Sequence, residues 1–261
     1  MNNIPVGVFD SGIGGITVLS NIIRILPGQK FIYFGDTKNA PYGTKDSETI
    51  LKYSLDAADF LMQKGIKALV VACNTATSAA INHLRENLSI PVIGMEPALK
   101  LAVDKGNGGA IAVMATSLTI REEKFNHLME NFSSKAEVIP VACSGLVEII
   151  EAGKWNGAIV HDYLKGKFSD KNIEKITDVV LGCTHYIFIK KAVEDFFNTR
   201  VKVLDGNEGT ARQLKRILVS EGLYQENLLY EGFEDSSVEF YFSGKEDKPV
   251  SLYKDWLRKN V

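Results

Sequence analysis

ALVVACNT (residues 68–75) and DVVLGCTH (residues 178–185) carry one pattern twice. Each is a short apolar run of strand length that ends in a single cysteine, Cys73 or Cys183, and passes at once into polar donors. These are Asn74 and Thr75 in the first stretch and Thr184 and His185 in the second. An apolar run without alternation is the mark of a strand buried on both faces, as in a parallel sheet covered by helices.

The likeness extends outward on both sides. VGVFDSG lines up with IAVMATS so that Ser11 falls on Thr116, an offset of 105; Cys73 falls on Cys183 at 110, and PVIGME on VKVLDG at 110 again. FIYFGD and EVIPVAC match at a similar offset. Buried parallel strands draw on the same few residue types and so look alike wherever they occur. Paired cysteines at equivalent strand ends do not follow from that, and they point to two copies of one α/β unit.

Helical patterns separate these runs. Ile50, Tyr53, Ala57, Phe60 and Leu61 repeat at roughly helical spacing before Gly65, the order of an amphipathic helix and its stop. Past Asp205 the pattern predicts a helix over about residues 207–221, then an acidic loop, an edge strand at VEFYF and a short helix from about Val250.

Composition narrows the function classes. With 261 residues and 45% hydrophobic content the chain has material for a sizeable core. Its 30 basic and 32 acidic side chains are mixed, with a net charge of -2, so nothing attracts nucleic acid or a membrane surface and a small-molecule partner is expected. No apolar run approaches the roughly 18 residues of a membrane span. The start, MNNIPVGVFD, enters a strand without a charged leader, which predicts a cytoplasmic protein. The three cysteines, Cys73, Cys143 and Cys183, are too few and too scattered for a disulfide framework, and they form no metal-ligand cluster, so no metal is expected.

In open parallel sheets ligands bind beyond the carboxyl ends of the strands. Here those ends carry DSGIGG (10–15), GDTKNAPYG (35–43), CNTAT (73–77), ATS (115–117), ACSG (142–145) and CTHY (183–186). DSGIGG lacks the spacing of a dinucleotide fingerprint and has no following GK[ST]. It reads either as a cradle for a carboxylate, with backbone N–H groups and the Ser11 hydroxyl as donors, or as a tight strand-to-helix turn. In GDTKNAPYG, Pro41 and Gly43 flank Tyr42, a turn with an aromatic at its tip. Cys143 reads as a small buried hydrophobe.

Cys73 and Cys183 each open a helix, where the helix dipole favours a thiolate. A cysteine hydrolase would use His185 with Cys183 and leave the second thiol unexplained. Two acid/base groups on opposite sides of one carbon use both thiols. Racemisation needs a base that removes the α-proton from one face and an acid that delivers a proton to the other. No electron sink such as pyridoxal phosphate is then needed.

GVFDSGIGGITVL, YFGDTKNAPYG, VACNTAT, GMEP and LGCTHY, in this order between about residue 6 and residue 210, resemble the bacterial glutamate racemases. That resemblance implies a cofactor-independent enzyme of two pseudo-symmetric α/β domains, with mostly parallel sheets flanked by helices and the site in the interdomain cleft. The first domain would be residues 1–95 plus 208–261 and the inserted second domain residues 96–207. The resemblance makes Cys73 the proton-exchanging group on the face presented by D-glutamate and Cys183 that on the face presented by L-glutamate. Asp10 would assist Cys73, and His185 would assist Cys183 with Glu148 near it. Ser11, Asn74, Thr75 and Thr184 would hold the amino-acid head, and Tyr42, Gly43 and Thr116 would complete the pocket. Asp36 belongs to the rim, and Asp10 and His185 also count among the substrate-binding residues.

The family role implied is supply of D-glutamate for the peptidoglycan peptide. Ser144, Ile187 and Gly206 depart from the common pattern at loop positions. The alternatives are a racemase of aspartate or another acidic amino acid, and a two-lobed protein that binds an amino acid without reacting. Oligomeric state stays open, a homodimer included.

Overall fold

The computed structural model describes residues 3–105, 108–225, 234, 237–244 and 250–261. The chain forms two compact units: Met1–Tyr42 with Asp46–Met95 and Asn207–Val261, and Glu96–Gly206 with Gly43–Lys45.

The first unit starts with β1 (Val6–Asp10), α1 (Ile16–Ile25), β2 (Phe31–Gly35), α2 (Ser47–Gln63), β3 (Ala68–Val71), α3 (Asn74–Asn87) and β4 (Val92–Gly94). The second contains α4 (Leu99–Lys105), β5 (Ala110–Ala115), α5 (Ser117–Arg121), α6 (Glu123–Ser133), β6 (Val138–Ala142), α7 (Leu146–Glu151), α8 (Ala158–Phe168), β7 (Ile176–Leu181), α9 (Lys190–Phe196) and β8 (Lys202–Asp205). The chain then adds α10 (Asn207–Ser220), β9 (Val238–Phe242) and α11 (Val250–Asn260) to the first unit.

The two sheets run β4-β3-β1-β2-β9 and β6-β5-β7-β8, and every pairing is parallel. Without β9, the first sheet has the order β4-β3-β1-β2 and the second, read from its other edge, β8-β7-β5-β6. Strand for strand these are one topology, so the internal repeat seen in the sequence is a repeat of structure. The central strands β1, β3 and β5 are buried along their whole length, which is why they read as unbroken apolar runs.

Local chemistry sets the edges and the stops. Pro140 brings no N–H to a ladder and falls on β6, an edge strand whose side chains are mostly half-buried or exposed. VEFYF is the expected edge strand, laid parallel on β2 with Phe31 opposite Val238. Asp46 caps α2 by accepting from Thr49 N at 2.7 Å, and Gly65, with φ +75°, follows its end. Part of the expected acidic loop lies outside the described residues. Among the described residues no helix is long and apolar enough to cross a membrane.

Candidate active site

Strand order locates the candidate site before any side chain is considered. In the first unit the chain leaves β1 toward one edge, to β2, and leaves β3 toward the other, to β4. The loops after β1 and β3 therefore diverge, and a crevice opens at the carboxyl ends of those two strands. β5 and β7 stand in the same relation in the second unit. The register pairs Phe9 with Val71 and Met114 with Leu181. Two residues beyond each pair come Ser11 with Cys73 and Thr116 with Cys183, the positions that align in the repeat.

The Cys73 half is built tightly. Cys73 is the N-cap of α3, and its sulfur accepts from Ala76 N at 3.4 Å. Its thiol donates to Ser11 Oγ at 3.6 Å. Asp10, Ser11, Asn74 and Thr75 are all buried, and among the described residues the Asn74 side-chain oxygen has no hydrogen-bond partner. In the DSGIGG loop Gly12 N donates to Asp10 Oδ1 at 2.9 Å, and Tyr33 donates to Gly12 O at 2.6 Å. Gly15 has an ordinary helical φ of -61°, and its importance is spatial, since a Cβ there would lie 2.5 Å from Asp10 Cβ. The loop is a tight turn closed around its own aspartate.

The aromatic at the tip of the GDTKNAPYG turn, Tyr42, points inward. It is buried against Phe9 and Tyr53, with ring centroids 6.2 and 6.0 Å away, after a cis Ala40–Pro41 bond, and its hydroxyl donates to Asp36 Oδ2 at 2.6 Å. Burial first, and then the Asp36 hydrogen bond, raise the phenol's pKa and keep it a donor. Asp36, itself buried, also accepts from Asn39 Nδ2 at 3.0 and 3.1 Å and from Ser243 Oγ. It is an anchor for the rim loop. Gly43 groups with the second unit, where an added Cβ would come within 2.7 Å of Thr116 Cβ.

The Cys183 half differs in detail. Cys183 precedes a 3-10 turn, Thr184–Ile189, and its side chain makes no cap bond. The sequence THYIFI is rich in aromatic and β-branched residues, weak α-helix formers, and Tyr186 and Ile189 both point into the core. That spacing of three is the period of a 3-10 helix. Thr184 and His185 are buried beside Cys183 in sequence. Thr116 caps α5 by accepting from Thr119 N at 3.2 Å, and the two threonine hydroxyls lie 2.9 Å apart.

The carboxylate on His185 is Glu151, with Oε1 2.6 Å from Nε2. Glu148, expected near Cys183, is exposed on the first turn of α7, and its charge is felt at Tyr163 and Tyr186. The two glutamates are three residues apart on one helix face, so the sequence pattern EIIE marks the face without selecting the residue. Glu151 and Thr119 are the site neighbours that sequence reasoning missed.

Cys143 behaves as the core residue expected. Its thiol donates to Val141 O at 3.4 Å, and burial pushes its pKa up to about 12. Its carbonyl accepts from Tyr186 at 3.2 Å, which ties the ACSG loop to the turn after Cys183. Of the departing loop residues, Ser144 Oγ lies 2.6 Å from Ser117 Oγ, and Ile187 packs against the second unit's core.

The profile of the Asp/Glu/hydantoin racemase family matches residues 7–214. A glutamate racemase of Clostridium botulinum (strain Langeland) is 48% identical over 250 residues, covering 96% of this chain and 95% of that protein. One of Clostridium kluyveri is 51% identical over 217 residues, covering 82% and 84%. The crystal structure of the Francisella tularensis glutamate racemase in complex with D-glutamate superposes with a TM-score of 0.83 at 32% identity, covering 98% of this chain and 94% of that one.

Proposed function

Since the chain belongs to the Asp/Glu/hydantoin racemase family, we propose that it interconverts L- and D-glutamate by a two-thiol mechanism, with Cys73 and Cys183 as the proton-exchanging groups. The observation that carries this reading is that both thiols stand at the carboxyl end of the same strand of a repeated topology, β3 and β7. Relatives about half identical to this chain over most of its length are glutamate racemases, which favours glutamate over aspartate.

Removing the α-proton of an amino acid is hard because the carbanion places charge on the α-carboxylate. Fixed donors stabilise that charge, and exclusion of water strengthens each of them. Ser11, Thr75, Thr116 and Thr184 supply hydroxyls for this purpose, and the unpartnered Asn74 oxygen is an acceptor suited to the α-ammonium group. Cys73 exchanges the proton on the face presented by D-glutamate and Cys183 on that presented by L-glutamate. In each direction one sulfur acts as thiolate base while the other delivers a proton as thiol, and the two exchange states on turnover. Asp10 assists the first thiol, and His185, oriented by Glu151, assists the second. Tyr42 and Gly43 close the pocket, and Asp36 holds Tyr42.

The product D-glutamate would serve the peptide of peptidoglycan, made in the cytoplasm. The same reading extends to a homodimer, which sedimentation of the purified protein tests.

Incubation of the protein with L-glutamate and, separately, L-aspartate in D2O tests the proposal. α-Deuteration of glutamate with loss of optical rotation to a one-to-one mixture is expected. Faster exchange of aspartate would move the substrate assignment. Tight glutamate binding without deuterium incorporation would make the protein a binding module.

A further inference from the structure

We propose that Ser243, at the end of the C-terminal strand β9, is a positioning residue for the loop that carries Tyr42; the proposal rests on the reading of Tyr42 as a substrate-binding residue. The family profile ends at residue 214, so Ser243 lies outside the part of the chain that it matches.

Pairing of β9 with β2 sets Phe242 opposite Gly35 and so brings the next residues, Ser243 and Asp36, side by side. Ser243 N donates to Gly35 O at 3.1 Å. The Ser243 hydroxyl works in both directions: it accepts from Lys38 N at 3.1 Å and donates to Asp36 Oδ1. Asp36 passes the constraint on, because its other oxygen holds the Tyr42 hydroxyl at 2.6 Å. One exposed serine thus ties the backbone of the rim loop and the carboxylate that fixes Tyr42 to the same strand end.

The fit around this contact is close. A Cβ on Gly35 would come within 2.9 Å of the Phe242 ring, and one on Gly244 within 3.2 Å of Lys38 N. Phe242 packs on Tyr253 of α11 and on Tyr33, with centroids 5.2 and 6.2 Å away, and Tyr33 in turn bonds Gly12 O beside Asp10. The tail therefore backs both loops of the Cys73 half. Loss of the Ser243 hydroxyl removes two hydrogen bonds from an exposed position and leaves these packing contacts intact. It loosens Tyr42 and touches neither thiol.

The test compares Ser243→Ala, Ser243→Thr, Tyr42→Phe and the double variant Ser243→Ala/Tyr42→Phe in steady-state racemisation of both glutamate enantiomers, with thermal unfolding alongside. Ser243→Ala is expected to raise KM roughly 3- to 10-fold, the size of one or two lost hydrogen bonds, with kcat within about twofold. Ser243→Thr, which keeps the hydroxyl, restores KM. In the Tyr42→Phe background Ser243→Ala adds nothing further, because it acts through Tyr42.

An unchanged KM in Ser243→Ala, with KM raised in Tyr42→Phe, overturns the positioning role and leaves the reading of Tyr42 standing. An unchanged KM in Tyr42→Phe overturns that reading, and the proposal with it. An equal rise in KM and an equal fall in melting temperature in the alanine and threonine variants make Ser243 a structural residue and overturn the proposal.

Discussion

His185 Nε2 and Glu151 Oε1 stand 2.6 Å apart, the imidazole almost fully buried and the carboxylate one-third exposed at the end of a short helix. A carboxylate on one ring nitrogen fixes the orientation of an imidazole and makes the opposite nitrogen the basic one in the neutral ring. If His185 assists Cys183, its usefulness depends on that orientation. Glu151→Gln is expected to lower kcat by about tenfold or more, within the range of general acid/base assistance, with α-deuterium exchange slowed most from L-glutamate. Glu148→Gln, on the exposed first turn and away from the His185 ring nitrogen that Glu151 holds, should leave kcat within about twofold. Equal effects of the two variants would return the role to Glu148.

The thiols make a sharper set. Cys73→Ala and Cys183→Ala should each abolish interconversion, because one face of the α-carbon then has no acid or base. Cys143→Ala should leave most activity and cost about 1 kcal/mol of stability, the size of a small core truncation. With its pKa pushed up to about 12 by burial, the Cys143 thiol stays protonated at neutral pH and should resist iodoacetamide in the folded protein. Measurable racemisation by either of the first two variants would sink the two-thiol mechanism.

Much of this is legible in the sequence for identifiable reasons. Strands buried on both faces read as unbroken apolar runs, so VVAC and VVLGC reveal the repeat, and the alignment of Ser11 with Thr116 survives in the strand register. What stays hidden depends on tertiary contacts. Tyr42 sits between Pro41 and Gly43, a pattern that reads as a turn and says nothing of what the ring packs on. Asp36, Phe9 and Tyr53 bury it, and none of them is within five residues. Glu148 and Glu151 share a helix face, and only the packing of the turn after Cys183 on α7 decides between them. Ser243 lies 207 residues beyond Asp36, and no local pattern links the two.

Gly15 offers a test of how Asp10 is held. Its backbone conformation suits alanine, and in open space Gly→Ala at such a site would stabilise the protein by about 0.4–1 kcal/mol through the unfolded chain. Here the added methyl would lie 2.5 Å from Asp10 Cβ and 3.0 Å from the Tyr33 hydroxyl. Overpacking of that kind costs roughly 1–3 kcal/mol, so the clash sets the sign. Gly15→Ala should lower the melting temperature and, by displacing Asp10, lower kcat as well. A melting temperature that rises would show that the Asp10 turn yields without cost.

Lys67 carries the pH dependence that can be assigned to a single group. It opens β3's approach from the amino-terminal side, is buried, and donates from Nζ to Leu223 O at 2.6 Å. Burial lowers its pKa from 10.5 to about 8. In the window between those values the unfolded chain holds a proton that the native protein has released, so this group's contribution to stability rises with pH there. Below pH 8 both states are protonated, and the native state bears the full cost of burying the charge. Above the unfolded value both are neutral, and the contribution levels off. Other groups titrate in the same window, so the quantity to measure is the difference between the wild type and Lys67→Met in urea unfolding at pH 7, 8, 9 and 10. The difference should shift in favour of the wild type as pH rises, by no more than about 1.4 kcal/mol per pH unit, the limit for one proton. A difference that stays constant across the series would mean that Lys67 titrates alike in the folded and unfolded chain.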